Sequence, residues 1–138
     1  MNRPVYESEQ DLFNERQLAV KAERAWRCEM VKQSKFNQFD YAAVRDGRVV
    51  AFVEMRVRST PLRKYPTMIL SANKLQAAQA MHMATGLPCL FLVQWTDVAG
   101  FVSMLNQYPV IMGGRTDRGD PADIEALATI PTEDFVLL

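Results

Sequence analysis

Three acidic residues stand in apolar surroundings at positions where metal-assisted chemistry is possible. Glu15 lies in a predicted helix, Asp40 lies at the start of a predicted strand, and Glu54 lies in the middle of the next strand. Isolated acids normally lie in water. Two carboxylates held close together repel each other unless a cation lies between them. Hard oxygen ligands of this kind suit Mg²⁺ or Mn²⁺, which bind through one or two carboxylates and keep several waters.

A predicted β-hairpin would bring two of these acids together. Two β-prone runs, residues 39–44 and 49–57, are separated by Arg45-Asp46-Gly47-Arg48. An Asp-Gly pair between such runs is the strongest short-range hairpin signal. This turn places the early part of the first strand opposite the late part of the second. We therefore expect Asp40 to approach Glu54.

The second of these strands carries a basic residue beside its acid. A strand sends alternate side chains to opposite faces, so Glu54 and Arg56 share one face, while Val53 and Met55 share the other. The same alternation is equally typical of an amphipathic strand with one solvated face and cross-strand ion pairs. The strand alone leaves both interpretations open.

The remaining pattern predicts an α/β domain. Ser8 can cap a helix that runs to about residue 33, and Ser71 can cap a second helix that ends at residue 84 or 85, before Gly86. The apolar run 90–95 indicates a strand buried on both faces, as in a strand, crossover helix, parallel strand unit. The segment 61–66 is predicted to be an exposed loop. Further short strands are predicted over residues 101–105, 110–112 and 134–138, with polar turns over 113–123.

The predicted order is therefore α, β, β, α, β, β, β. It corresponds to a central mixed sheet of about four or five strands flanked by helices. We expect residues 1–138 to form a single domain.

This order and its short motifs resemble the PD-(D/E)XK nuclease superfamily, in particular its small Holliday-junction-resolvase-like and phage-type members. The family pattern is a helix glutamate, an fD motif and an fhExK motif. Here its counterparts are Glu15, Phe39-Asp40 and Phe52-Val53-Glu54-Met55-Arg56. The resemblance covers about residues 7–102 and implies a restriction-endonuclease-like core. Residues 103–138 would be a C-terminal extension of the same domain.

The resemblance also implies the roles of the site residues. Glu15, Asp40 and Glu54 would be the metal-binding acids, and the backbone carbonyl of Met55 would be a further ligand for Mg²⁺ or Mn²⁺. The lysine of the family motif falls on Arg56, and an arginine guanidinium, unlike a lysine amine, cannot act as a base. Arg56 can still stabilise the charge that develops on a phosphate.

A second basic residue offers an alternative to the missing lysine. Lys74 lies in the first turn of the second predicted helix, which begins just beyond the strand that carries Glu54. Its amine can take the place of the motif lysine if the helix packs against that strand. A solvated helix lysine is the other interpretation.

The centre of the chain is rich in positive charge. Residues 55–96 contain five basic residues and no acid, although the net charge of the whole chain is zero. Such a segment can form a local positive surface for DNA. The candidate DNA-binding residues are Arg58, Arg63, Lys64 and Lys74. Tyr65 in the same loop can stack on a base, and a plain exposed loop is the alternative.

Composition excludes several other classes. Cys28, Cys89 and His82 do not have the spacing of a zinc site, and no Gly-rich phosphate loop is present, so no nucleotide cofactor is expected. No apolar run is long enough to span a membrane. We expect a cytoplasmic protein, in a bacterium or a phage-infected host cell.

Together these observations predict a metal-dependent endonuclease that hydrolyses DNA phosphodiester bonds. The alternative is a catalytically inactive module of the same fold that binds DNA or a protein partner. The resemblance also makes a homodimer the expected assembly, since two strands must be cut.

Overall fold

The structure is a computed structural model that describes residues 9–34, 37–114 and 124–138. It contains two α-helices and nine strands within these ranges. In chain order they are α1 (Glu9–Trp26), β1 (Glu29–Lys32), β2 (Tyr41–Arg45), β3 (Arg48–Val57), β4 (Thr67–Ser71), α2 (Ala72–Thr85), β5 (Cys89–Gln94), β6 (Ala99–Ser103), β7 (Val110–Gly114), β8 (Ile124–Pro131) and β9 (Val136–Leu137).

The strands form two sheets. The larger sheet has six strands in the order β1-β2-β3-β5-β6-β9, and the smaller sheet has the order β4-β8-β7. Among the described strands only β3 and β5 pair in parallel, and α2 lies in the connection between them. The predicted fold class, a mixed sheet flanked by helices, is confirmed. The sheet has six strands rather than four or five because β1 and β9 extend its two edges.

The hairpin that joins β2 to β3 turns where the sequence predicts. Asp46 and Gly47, the two central residues of the turn, have φ angles of 53° and 74°. Positive φ at both positions is typical of the two-residue turn whose twist matches that of the flanking strands. The resulting register pairs Tyr41 with Val53, which places Asp40 next to Glu54.

The first helix is shorter than the sequence predicts. It ends at Trp26, and Arg27 then adopts a φ of 52°. Residues 29–32, which were expected to continue the helix, form β1 at the edge of the sheet. No Gly or Pro lies near Trp26 to mark this end of the helix. Pairing with β2 and burial of Met30 favour the strand over the local helix propensity. The expected cap, Ser8, lies outside the described residues.

The smaller sheet was also not predicted. In β4, Met68 and Leu70 are buried, whereas Ile69 between them is exposed. The strand pairs with β8 along its whole length. Ser71 stands at the N-cap of α2 but makes no capping hydrogen bond, and its hydroxyl donates to Glu125 of β8 instead (3.2 Å). The pairing joins segments more than 50 residues apart, so no pattern within either segment indicates it. The expected turns over 113–123 are wrong at Gly113 and Gly114, which pair with β8 as the end of β7, and residues 115–123 lie outside the described residues.

Two apolar clusters cover the two faces of the larger sheet. The α1 face joins Leu18, Ala19 and Ala22 of the helix to inward residues of β2, β3 and β5. The α2 face joins the helix, β5 and the smaller sheet. Strand β5 is buried on both faces, as predicted.

Candidate active site

Asp40 and Glu54 meet at the centre of the larger sheet, on its α2 face. Glu54 is only 1% exposed and is the single buried charged residue within the described ranges. Asp40 lies directly before β2, and its Oδ2 atom accepts a hydrogen bond from the backbone N–H of Met55 (2.9 Å). The interpretation of this stretch of β3 as a solvated face is wrong, because Glu54 is closed off from water.

Arg56 places one nitrogen at the point where three oxygens converge. Its Nη1 atom lies 3.8 Å from Oδ2 of Asp40 and 3.4 Å from Oε2 of Glu54. The same nitrogen donates a hydrogen bond of 2.8 Å to the carbonyl oxygen of Met55. The three oxygen atoms belong to Asp40, Glu54 and Met55. The family resemblance implies that these same residues are metal ligands.

Lys74 reaches the same acid from the opposite side. It lies in the first turn of α2, and its Nζ is 3.1 Å from Oε1 of Glu54. The ammonium also donates to the carbonyl oxygen of Gln38 (3.3 Å). The interpretation of Lys74 as a purely solvated helix residue is therefore wrong. No sequence signal points to Gln38, because its contribution is made by the backbone carbonyl.

The electrostatics of Glu54 reflect this crowded position. Burial raises the pKa of its carboxyl group most strongly, and the neighbouring charge of Asp40 raises the pKa further. Arg56 and Lys74 lower the pKa, but the net direction is upward. Strongly perturbed carboxyl groups beside a second acid are characteristic of functional sites.

Glu15 lies apart from this pair. Its Oε1 atom accepts a hydrogen bond of 2.9 Å from Lys32. Tyr41 is its other neighbour, and the pKa of that phenol is raised by burial and then by the charge of Glu15. Tyr41 belongs to the α1 cluster, so Glu15 approaches the sheet from the face opposite to Glu54.

A surface groove nevertheless connects Glu15 with the rest of the site. The groove has a volume of about 430 Å³ and is lined by Glu15, Met55, Arg56 and the following residues of β3. Within the described residues, no group of three or more Asp, Glu, His or Cys side chains is arranged to hold a metal ion. The oxygen donors near Arg56 are thus two carboxylates and one carbonyl, with Glu15 at the far end of the groove.

The other basic residues lie around the end of β3. Arg58 directs its Nε toward the sulfur of Met68 (3.5 Å), and burial and the charge of Arg56 lower the pKa of this guanidinium. Arg63 and Lys64 are exposed on the short 3₁₀ turn Leu62–Lys64. Lys32 was missed as a neighbour of Glu15 because its segment reads as helix.

The architecture is that of the restriction-endonuclease-like fold. The structure is similar to that of Hjc from Archaeoglobus fulgidus, a Holliday junction resolvase from an archaeal hyperthermophile, with a TM-score of 0.62. The two sequences are 16% identical, and the match covers 94% of this chain and 93% of the resolvase. At this identity the likeness shows the fold.

The family follows from the sequence itself. A family model described as "Phage putative PDDEXK endonuclease" matches residues 1–138, so the chain belongs to this family. The predicted family resemblance is thereby confirmed. No curated protein matches the chain. Neither helix within the described ranges is long and apolar enough to cross a membrane.

Proposed function

We propose that this protein is a metal-dependent endonuclease that hydrolyses phosphodiester bonds in DNA. The observation that carries the proposal is the convergence of three oxygens, from Asp40, Glu54 and Met55, on one cationic nitrogen. A point surrounded by hard oxygen donors and occupied by positive charge suits Mg²⁺ or Mn²⁺. Membership of the endonuclease family supports the same activity.

The donor set fits such an ion once Arg56 moves aside. Asp40 and Glu54 would hold the ion with the Met55 carbonyl, and Glu15 would complete the site from the groove. A bound ion supplies a Lewis acid and lowers the pKa of an attacking water. Phosphodiesters are among the slowest bonds to hydrolyse, so loss of one ligand should cost orders of magnitude in rate.

Arg56 and Lys74 have different parts in this proposal. The side chain of Arg56 is 39% exposed. Its guanidinium would therefore be able to leave the two acids and bind a phosphate oxygen in the groove. Arginine offers several donors in a fixed plane and suits phosphate. Lys74 contacts Oε1 of Glu54 and is our candidate to take the place of the motif lysine. It would orient the attacking water.

The wider assembly follows from the substrate. Arg58, Arg63 and Lys64 would bind the DNA backbone on either side of the cut. We propose that residues 1–138 act as one nuclease domain, that two copies form a homodimer in order to cut two strands, and that the protein acts in the cytoplasm of a bacterial or phage-infected cell.

The inactive DNA- or protein-binding module remains the competing proposal. The ion pairs of Glu54 with Arg56 and Lys74 suit it, because they satisfy the acid without a metal. The same pairs are also what a nuclease needs when no ion is bound, since an unpaired buried carboxylate is costly. The endonuclease family does not favour the inactive alternative.

The test is a cleavage assay on branched, single-stranded and duplex DNA in Mg²⁺, Mn²⁺ or EDTA. We expect cleavage with either ion and none in EDTA, and we expect Asp40→Asn and Glu54→Gln to abolish it. Glu29→Gln, which removes an exposed carboxylate from β1, is the matched control. Cleavage that persists in both site variants, or in EDTA, would refute the proposal. Binding without cleavage by the parent protein would support the inactive module.

A further inference from the structure

A second cavity lies directly beside the candidate active site. It has a volume of about 390 Å³ and is bounded by the end of β3, the loop that follows, and the start of β4. Arg58 and Ser59 line both this cavity and the groove that holds Glu15 and Arg56. A DNA strand whose phosphate lies in the groove would therefore have its neighbouring nucleotide at the mouth of the cavity.

The cavity wall combines aromatic and apolar surfaces with one positive group. Tyr65 is 57% exposed, an unusual position for a large aromatic side chain, whereas Trp95 is buried at 4%. Met68 and Ile69 contribute apolar surface, and Arg58 lies against the sulfur of Met68. Acidic residues are absent from the lining, and Arg63 and Lys64 adjoin it on the 3₁₀ turn. This combination suits a flat, uncharged ring attached to an anionic backbone.

Hydrogen bonds hold the loop around the cavity in place. The N–H of Leu62 donates to Asp97 (3.0 Å), which anchors the loop to the end of β5. The N–H of Thr132 donates to the carbonyl of Pro66 (3.0 Å), which anchors the other end to the smaller sheet. A pocket that exists before the ligand arrives loses little conformational entropy on binding.

The ring of Trp95 is fixed in the same way. It packs edge-on against Phe135, with ring centroids 5.0 Å apart. Its position at the base of the cavity is thus set by the core and does not depend on a ligand.

We infer that this cavity binds an unstacked nucleobase next to the scissile phosphate, with Tyr65 as the stacking surface. The inference rests on the proposed nuclease function and names its substrate class. A base inside a continuous duplex is stacked between its neighbours and cannot enter a side cavity. DNA with an unpaired nucleotide at the cut, as at a bulge, flap or branch point, presents a free base. Stacking on an aromatic side chain is tolerant of sequence, so structure rather than sequence selects the substrate.

The test compares two duplexes that differ at one position. One carries an unpaired adenine, and the other carries an abasic analogue at the same place. Binding is measured by fluorescence anisotropy in EDTA, where no strand is cut. We expect the wild-type protein to bind the adenine duplex about tenfold more tightly, as base–aromatic stacking predicts. Tyr65→Ala should lose this preference, so that it binds the adenine duplex only as weakly as it binds the abasic duplex. Tyr65→Phe should keep the preference.

Phe13 provides a matched control. It is 58% exposed on α1 and lies outside both linings, so Phe13→Ala removes an equally exposed aromatic ring elsewhere on the surface. It should leave the preference for the base unchanged. Both rings are largely in solvent, so neither variant should lower the melting temperature much. Thermal unfolding of each variant checks that the fold is kept.

Three results would overturn the inference. The first is equal binding of the two duplexes by the wild-type protein, and the second is an equal loss on both duplexes in Tyr65→Ala. The third is a changed sedimentation coefficient in Tyr65→Ala with an unaltered base preference, which would make the cavity an interface between copies of this chain. Base-dependent binding without metal-dependent cleavage would uphold the cavity and refute the nuclease. Cleavage without base dependence would do the reverse.

Discussion

The two faces of the larger sheet are each covered by a helix, but their interiors differ. Under α1, Leu18, Ala19 and Ala22 pack in an apolar cluster with side chains of the sheet. Under α2, the interior also includes Glu54, with Lys74 and Arg56 held to it. Burying a carboxylate costs several kcal/mol before its partners offset that cost. A face that only stabilises the fold has no need of one, so the α2 face is where chemistry is to be sought.

The largest expected effect concerns the acid of the α2 face. Glu54→Gln keeps the shape of the side chain but removes its charge, and we expect the rate of DNA cleavage to fall by about a thousandfold or more. The loss arises because a neutral amide is a poor ligand for a divalent cation. Single-turnover cleavage in Mg²⁺ measures the rate, and circular dichroism confirms the fold. A rate within tenfold of the parent would remove the distinction between the two faces.

The next effect is on the α1 face and should appear in stability alone. Leu18 is 1% exposed in the centre of the apolar cluster, so Leu18→Ala should lower the free energy of unfolding by about 2–5 kcal/mol. The cleavage rate per folded molecule should remain that of the parent when it is assayed at a urea concentration well below the unfolding midpoint. Urea unfolding and the cleavage assay, run on the same preparation, separate the two quantities. A specific activity that falls with stability would mean that the packing of Leu18 also sets the position of Glu15, the proposed ligand that α1 carries.

Arg56 offers an intermediate effect that sharpens the assignment of roles. Arg56→Gln should lower cleavage by roughly 10- to 100-fold through loss of phosphate stabilisation. It should also tighten Mn²⁺ binding to the free protein, because the nitrogen that now lies among the three oxygens would be gone. Arg56→Lys, which restores the family motif, should retain or raise activity. Titration calorimetry with Mn²⁺ gives the affinity.

A weaker Mn²⁺ affinity in Arg56→Gln than in the parent would contradict the competition between Arg56 and the ion. Strong cleavage by Arg56→Lys combined with none by the parent would instead show an intact scaffold that this one residue keeps inactive. Arg48→Gln, which removes an exposed arginine at the other end of β3, is the control and should change neither quantity.

The smallest effect is the pH dependence of stability in EDTA. Since the pKa of Glu54 is raised above its ordinary value of 4.5, the native protein binds this proton more tightly than the unfolded chain does. The stability of the parent therefore falls, through this group, as pH rises from 4.5 to the raised pKa, and is constant beyond it. Glu54→Gln lacks this dependence. The melting temperature of the variant relative to the parent should increase with pH, and a constant difference would contradict the shift.

The sequence predicted the parts of the site that one hairpin builds. Asp46-Gly47 fixed the turn, and the period of two along β3 placed Glu54 beside Arg56. Lys74 belongs to another element, so its distance from Glu54 depended on helix packing, which residue spacing does not specify. The position of Glu15 could not be derived either, because it depends on β1, whose residues favour a helix locally and become a strand only through pairing with β2.

The smaller sheet shows the same limit. Residues 124–131 form β8 only because β4 lies on one side and β7 on the other. The strand predicted over residues 110–112 is recovered within β7, but β4 and β8 were not recognised from the sequence alone. Pairing between distant segments is a property of the folded chain, and pattern within one window does not contain it.

The connection between β3 and β5 has a consequence for how the site assembles during folding. A hairpin such as β2–β3 closes in about 1–10 μs, whereas a parallel pair must wait for its crossover, here the chain from Val57 to Cys89. Asp40 and Glu54 therefore come together before α2 can bring Lys74 to them. Arg56 is carried on β3 itself, with its Nη1 atom 3.8 Å from Asp40 and 3.4 Å from Glu54. The like charges thus meet with their own counter-ion already present, whatever the order in which the later elements dock.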